Sequence, residues 1–239
     1  MKNNNKSFTM IELLLALSIF AVIASGVYSI FWSGLKLSHR AQLKTSVYKE
    51  ARLAINLMTR ELENMLYYDF GEKYPNKASF FGTESSISFL TESDEGLKAV
   101  SYYLVSPSDG TAHTVIIGDI YKKNVAFEIK DEKLERLNFL VREEKLFVDY
   151  LNNAEGQSGS LEVVSANVKE GGLKFSYGYS AGGDNTSIVR KGTWKGKYIP
   201  SDVRMEIDFI NRLDPKRSMN IKRGVLISTG FLGEEEGPQ

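Results

Sequence analysis

The most prominent feature of the polar and apolar pattern is a long apolar run near the start of the chain. No residue from Leu13 to Leu35 carries a formal charge, a stretch of 23 residues. As an α-helix with a rise of about 1.5 Å per residue, this run would measure about 35 Å, which exceeds the roughly 30 Å of a bilayer's hydrocarbon core. The pattern therefore predicts a helix that holds the start of the chain in a membrane.

Apolar residues continue beyond the run at intervals of three and four, the spacing that places them on one face of a helix. We predict one helix from about Phe8 to about Tyr68, with its second half packed against a soluble domain. The apolar positions of that half are Val47, Ala51, Ala54, Ile55, Met58, Leu62, Met65 and Leu66. The intervening charges are expected to face solvent: Lys49, Glu50, Arg52, Arg60, Glu61 and Glu63.

Beyond Gly71, short runs rich in β-branched and aromatic residues alternate with Gly, Ser and Asn, which is typical of strands separated by turns. In the segment from Val203 to Phe209 apolar and charged residues alternate, which favours an antiparallel strand with one buried face. The sequence thus predicts an α+β fold, a long N-terminal helix packed on an antiparallel β-sheet. The predicted strands are Ser86–Leu90, Val100–Val105, Thr114–Ile117, Val125–Ile129, Phe139–Val141, Leu146–Tyr150, Leu161–Val168, Leu173–Tyr179, Val203–Phe209 and Val225–Ser228.

Composition narrows the possible partners and chemistry. The chain has 239 residues, with 30 basic and 30 acidic side chains, two histidines and no cysteine. Balanced charge provides no field to attract nucleic acid, so no nucleic-acid partner is expected. Without cysteine there are no disulfides or thiolate metal sites, and two isolated histidines do not form a metal cluster. We expect no cofactor and no metal, although the turns at residues 93–96 and 183–186 could contribute oxygens to calcium.

Two short motifs resemble catalytic signatures but lack their context. Gly178-Tyr179-Ser180-Ala181-Gly182 has the Gly-x-Ser-x-Gly pattern of a nucleophile elbow. An elbow requires a following helix and a later histidine, whereas both His39 and His113 precede Ser180. The segment from Gly192 to Lys197 is one residue short of a phosphate-binding loop and lacks its final Ser or Thr. We therefore expect no catalytic residue and predict that the protein is not an enzyme.

One carboxylate, Glu12, stands at the start of the apolar run. An ionised side chain at the edge of a membrane span is costly to desolvate. Its position permits two explanations: the side chain reaches headgroups and water at the interface, or it has a partner of opposite charge.

The residues around Glu12 resemble the start of type IV prepilins and of type II secretion pseudopilins. The resemblance lies in Phe8-Thr9-Met10-Ile11-Glu12-Leu13-Leu14-Leu15-Ala16-Leu17, which follows a short lysine-containing leader. In that family a membrane peptidase removes the leader and methylates the new N-terminal amine. The resemblance implies cleavage between Ser7 and Phe8 and N-methylation of Phe8, although the family usually has Gly where this chain has Ser7. It also implies that Glu12 is an assembly carboxylate, which pairs with the cationic N-terminus of a neighbouring subunit.

This cleavage site sets the expected domains. They are a leader peptide over residues 1–7, a transmembrane and assembly helix over 8–37, a pilin-like external domain over 38–232 and a disordered acidic tail over 233–239. Basic residues flank the span on both sides, so only the resemblance sets the orientation. It implies a single pass through the inner (cytoplasmic) membrane, with the external domain in the periplasm or otherwise outside that membrane.

A secretory signal peptide is the competing interpretation. Lys2 and Lys6 could form its basic region, and the small residues from Ala21 to Gly26 could provide its cleavage site. The protein would then be an exported enzyme or binding protein. Against this, the apolar run exceeds the roughly 7 to 15 residues of a signal peptide's apolar region, and an acid at its start is unusual there.

The order of features along the chain also resembles minor pseudopilin J of type II secretion. The resemblance implies a structural subunit at the tip of the pseudopilus, which supports filament assembly and protein export. The partners implied are a prepilin peptidase, pseudopilins of the I, K, H and major G types, an inner-membrane assembly platform and membrane lipid. A minor pilin of a type IV pilus or competence filament is the alternative. The similar segments are Leu53–Glu63, Ile87–Leu90, Val100–Leu104, Leu140–Glu143, Leu173–Tyr177, Trp194 and Ile199–Arg204, with an apparent insertion over 107–138.

Overall fold

The computed structural model describes residues 9–93, 96–106, 137–152, 159–180, 188–195, 198–211, 214–228 and 230. The chain divides between Ser46 and Val47 into two compact units. The predicted leader, acidic tail and strands at Thr114–Ile117 and Val125–Ile129 lie outside the described residues.

The first unit is helical. Helix α1 spans Met10–Glu63, and its residues before Val47 belong to this unit. The stretch Met10–Ser38 has a mean hydropathy of 2.3, and none of it is buried. Among the described residues, it is the one helical stretch long and apolar enough to cross a membrane. Its apolar side chains therefore require a covering that the described residues do not supply.

In the described residues of the second unit, eight strands form an antiparallel sheet in the order β1-β2-β3-β4-β5-β7-β8, with β6 paired to β5. A short helix, α2, follows β4. The strands are β1 (Phe80–Gly82), β2 (Ser86–Ser93), β3 (Gly96–Val105), β4 (Leu137–Leu146), β5 (Ser160–Ser180), β6 (Ile188–Lys191), β7 (Asp202–Asn211) and β8 (Asp214–Leu226), and α2 is Phe147–Asn152.

The core of this unit lies between the second half of α1 and one face of the sheet. The buried apolar positions of α1 include Ala51, Ala54, Met58 and Leu62, as their spacing predicts. They pack in one cluster with residues of β2, β3, β4, β5 and β7. In β7 the predicted alternation is confirmed, since Val203, Met205, Ile207 and Phe209 are all fully buried. The predicted α+β class, a long helix and an antiparallel sheet, is confirmed.

Helix α1 ends five residues before the predicted Tyr68. After Glu63 the backbone N–H of Leu66 donates to the carbonyl of Leu90 at 2.9 Å, and Met65 forms a β-bridge with Thr91. Hydrogen bonding to strand β2 thus replaces the next helical turn, and Met65 is nevertheless buried in the same core cluster as the apolar face of α1.

The prediction of a strand at Leu146–Tyr150 is wrong, because β4 ends at Leu146 and Phe147–Asn152 is helix α2. The rings of Phe147 and Tyr150, three residues apart, lie 6.1 and 6.2 Å from the ring of Phe70. One helical turn places both rings on the same side, whereas a strand would place them on opposite faces. Aromatic packing with Phe70 therefore accompanies the helical conformation.

Two predicted strands, Leu161–Val168 and Leu173–Tyr179, form one long strand, β5. The break between them is an irregularity in the pairing with β7 between Val168 and Leu173. Gly171 has a φ of 62° there, a conformation that glycine adopts without strain. The glycines therefore interrupt the ladder without ending the strand, which pairs with β4 over residues 160–169 and with β7 at Val168 and over residues 173–178.

Candidate functional site: the start of the N-terminal helix

The first turn of α1 is closed by reciprocal hydrogen bonds between Thr9 and Glu12. The Thr9 backbone N–H and the Thr9 hydroxyl each donate to Oε2 of Glu12 at 3.0 Å. In return, the backbone N–H of Glu12 points to Oγ1 of Thr9 at 3.4 Å. This arrangement is a capping box, in which an N-cap Thr and a Glu three residues later satisfy backbone N–H groups that have no helical partner.

The capping box changes the interpretation of Glu12. Its carboxylate has local hydrogen-bond donors and lies at the helix N-terminus, where the helix dipole favours a negative charge. Within the described part of the chain only Oε2 is engaged, and Oε1 has no donor. The side chain is exposed. Glu12 can therefore keep its cap and still accept a cation from another molecule through Oε1.

Sequence reasoning about the apolar run did not find this cap. The signal was present, because Thr9-x-x-Glu12 directly before an apolar helix is the usual capping-box pattern. The other two predicted site residues, Ser7 and Phe8, lie outside the described residues, so cleavage and N-methylation there remain predictions.

Two serine hydroxyls farther along the span are satisfied within the helix. The Ser18 hydroxyl donates to the carbonyl oxygens of Leu14 and Leu15 at 3.0 and 2.9 Å, and the Ser25 hydroxyl donates to that of Val22 at 2.8 Å. Such bonds allow a hydroxyl to reside in hydrocarbon. A Cβ added to Gly26 would meet no atom within 4 Å. Packing among the described residues therefore does not require a glycine at position 26. The absence of a side chain there would permit the close approach of another helix.

A connected group of ionisable side chains lies elsewhere, between α1, β3 and β4. Arg142 forms ion pairs with Oε1 of Glu61 at 2.8 Å and with Oε2 of Glu144 at 2.6 Å. Lys98 pairs with Oε1 of Glu144 at 2.6 Å, and the Tyr102 hydroxyl donates to Glu61. We call these five residues the Arg142 cluster.

Electrostatics in the Arg142 cluster favour permanent ion pairs over proton transfer. Burial lowers the pKa of Arg142, but hydrogen bonds with Glu61 and Glu144 outweigh it and raise the pKa above its ordinary value. Burial of Tyr102, with the nearby charge of Glu61, raises the pKa of the phenol. Each charge thus has an opposite partner, and the cluster fastens α1 to the sheet.

A second contact from α1 has the same effect. The Glu50 carboxylate accepts hydrogen bonds from the Ser165 hydroxyl at 2.6 Å, the Ala166 N–H at 2.8 Å and the Asn167 side-chain amide at 2.6 Å. The prediction that Glu50 and Glu61 belong to the solvent-exposed face is therefore wrong. Both carboxylates bind the sheet of their own unit.

The Arg142 cluster predicts acid sensitivity. Although burial raises the pKa of Glu144, hydrogen bonds from Lys98 and Arg142 hold it below the ordinary value of 4.5. A carboxylate whose pKa is lower in the folded state than in the unfolded state stabilises the fold at every pH above its unfolded pKa. That stabilisation is lost as the pH falls through the folded pKa. We expect urea unfolding of the full chain in detergent to show stability falling below about pH 4.5. Glu144→Gln should weaken this dependence of the unfolding free energy on pH and should lower stability at neutral pH. An unchanged pH dependence would mean that Glu144 is not the source of the acid sensitivity.

Each of the two motifs that resemble catalytic signatures is described only in part. Gly178 and Tyr179 lie within strand β5, which ends at Ser180. No group of three or more His, Asp or Glu side chains in the described ranges could hold a metal ion. The histidine side chains and the predicted calcium turn at residues 183–186 lie outside the described parts.

Comparison with known families identifies the N-terminal segment. A model of the prokaryotic N-terminal methylation motif matches residues 2–28. The match includes the predicted cleavage site, the capping box and most of the apolar run. No curated protein and no solved structure matches the chain. The chain therefore begins with a prepilin-type N-terminal methylation motif, which supports a type IV pilin-like protein.

Proposed function

We propose that this chain is a minor pseudopilin, a structural subunit at the tip of a type II secretion pseudopilus that supports filament assembly and protein export. The observation that carries the proposal is the methylation motif over residues 2–28. The large strand-rich second unit and its order of segments, which resembles minor pseudopilin J, favour an accessory tip subunit over the bulk component of the filament.

The proposed mechanism is assembly. A prepilin peptidase cuts between Ser7 and Phe8 and methylates the new amine of Phe8. The exposed apolar surface of α1 then packs laterally against neighbouring subunits as they leave the membrane. Oε1 of Glu12, without a donor among the described residues, accepts the cationic N-terminus of a neighbour. Pairing removes the cost of carrying an isolated charge along the apolar filament core.

The partners belong to the same proposal. They are the prepilin peptidase, pseudopilins of the I, K, H and major G types, and the inner-membrane assembly platform. The span holds the unassembled subunit in the inner membrane, with the second unit on its periplasmic or outer side. The protein acts without catalysis and without a cofactor. The balanced charge of the chain, 30 basic against 30 acidic residues, agrees with a role that involves no nucleic acid.

The test is the mature N-terminus, determined by mass spectrometry of the protein expressed with and without a prepilin peptidase. We expect the intact chain without the peptidase and a chain that begins at methylated Phe8 with it. The variant Ser7→Gly should be cleaved at an equal or faster rate, because it restores the residue usual before the cut. A start near Gly26, independent of the peptidase, would instead indicate a signal peptide.

A second experiment separates secretion from pilus function, since both systems use the methylation motif. Deletion of the gene should leave exported proteins in the periplasm if the chain is a pseudopilin. Normal export combined with loss of surface pili or of DNA uptake would make it a minor pilin of a type IV pilus or competence filament.

A further inference from the structure

Three residues form a ladder on one side of α1 near the end of the apolar run. The rings of Tyr28 and Trp32, four residues apart, are nearly parallel at 9°, with centroids separated by 6.3 Å. One further turn along, the Lys36 ammonium lies 5.9 Å from the centroid of the Trp32 ring. The ring–ring and cation–π contacts align one hydroxyl, one indole N–H and one charge along the helix.

The two aromatic polar groups form no hydrogen bond within the described part of the chain. Neither the Tyr28 hydroxyl nor the Trp32 indole N–H has a hydrogen-bond partner among the described residues, and both rings are half exposed or more, at 66% and 50%. An amphipathic aromatic ring with an unpaired polar end is typical of the boundary between hydrocarbon and headgroups. Lysine favours the same boundary because its stem can lie along apolar surface while the ammonium reaches phosphate and water.

The length of the helix independently places these residues at the boundary between hydrocarbon and headgroups. Leu13 begins the uncharged run after Glu12, and Lys36 is the first formal charge after it. A hydrocarbon core of roughly 30 Å takes up about 20 helical residues. Counted from Leu13, that core ends at about Trp32. The full stretch Met10–Ser38 is therefore longer than an upright span requires.

We infer that Tyr28, Trp32 and Lys36 form an interfacial belt that binds the lipid headgroup region and fixes the depth of α1 in the membrane. The inference rests on the membrane anchoring in the proposed function. Trp32 lies at the edge of the hydrocarbon, Tyr28 one turn deeper and Lys36 one turn higher, at the phosphates. The residues from Ser33 to Ser38 then stand outside the hydrocarbon core and carry α1 away from the bilayer.

The depth of Trp32 can be measured by fluorescence quenching in phosphatidylcholine vesicles whose lipids carry bromine either near the headgroup or near the chain end. The chain has two tryptophans, and Trp194 is buried in the second unit, with its indole N–H donating to the carbonyl of Tyr198 at 2.7 Å. Subtracting the signal of Trp32→Phe from that of the unmodified chain isolates Trp32 without disturbing Trp194.

A matched reporter supplies the comparison. The double variant Trp32→Phe/Phe20→Trp moves the probe to Phe20, eight residues from Glu12 and near the middle of the span. We expect Trp32 to be quenched more by the shallow lipid than by the deep one, and the relocated indole of the double variant to show the reverse order. Lys36→Leu, which removes the phosphate anchor, should shift Trp32 towards deep quenching, whereas Lys49→Leu, farther along α1, should not.

The possible failures are distinguishable. Deep quenching of Trp32, equal to that of the relocated indole, or no shift in Lys36→Leu would overturn the belt. Absence of quenching by either lipid, in protein that floats with vesicles, would also overturn it, because the aromatic face would then be covered by protein. Failure to float with vesicles would overturn both the belt and the membrane anchoring on which the proposed function depends.

Discussion

Replacing Glu12 by Gln should abolish most recruitment of this subunit into a filament while leaving membrane insertion and leader cleavage intact. The amide can still accept the Thr9 hydrogen bonds, which are 3.0 Å long in the native chain, so the helix cap is retained. The amide is neutral, however, and cannot form an ion pair with a neighbour's N-terminus. Loss of one member of a desolvated, hydrogen-bonded charge pair lowers affinity by at least about tenfold. Glu12→Val, which also removes the cap, should lose at least as much recruitment.

The capping box provides the matched control. Thr9→Ala removes the hydroxyl contacts with Glu12 and leaves the carboxylate in place. If charge pairing drives assembly, Thr9→Ala should be recruited nearly as well as the native chain. Recruitment is measured by crosslinking in membranes of cells that express the other pilin-like subunits. Equal loss in Thr9→Ala and Glu12→Gln would mean that the cap is what assembly requires, and full recruitment of Glu12→Gln would reject the charge pair.

Replacing Arg142 by Ala should strongly destabilise the second unit. Its side chain is 13% exposed and that of Glu61 is 12% exposed, so the change leaves the largely buried Glu61 carboxylate without its cation. Removal of one partner from a buried ion pair typically costs about 3 to 5 kcal/mol of unfolding free energy. We expect about 3 kcal/mol, because Glu144 keeps its pair with Lys98 at 2.6 Å.

The measurement is urea unfolding of the full chain in detergent, in a Trp32→Phe background so that fluorescence reports buried Trp194 alone. Lys222→Ala is the control, because Lys222 pairs with Glu206 at 3.0 Å on the surface, where its side chain is 63% exposed. Such exposed pairs contribute little to stability. A double variant, Glu61→Gln/Arg142→Met, should be more stable than Arg142→Ala, because it leaves fewer unpaired charges. Equal effects of Arg142→Ala and Lys222→Ala would mean that the Arg142 cluster does not fasten the helix.

Local patterns in the sequence determined the features that depend on neighbouring residues. The uncharged run from Leu13 to Leu35 predicted a membrane helix, and the alternation around Met205 predicted a half-buried strand, since helix and strand periods are visible within a few residues. The prepilin-like start was equally local, and the methylation-motif match to residues 2–28 agrees with it. The Thr9-x-x-Glu12 cap was in the same stretch and could have been predicted.

Tertiary structure decided what depends on residues distant in the chain. Glu61 and Arg142 are 81 positions apart, and Glu50 and Ala166 are 116 apart, so helical spacing alone assigned both glutamates to solvent. The aromatic cluster around Phe70 accompanies a helix at Phe147, where the β-branched and aromatic composition predicted a strand. Gly171 interrupts the ladder of one strand instead of separating two, because β4 and β7 pair with the residues before and after it. Periodicity records which face of an element is apolar, but the partner of a polar side chain is set only when the chain folds and brings the two together.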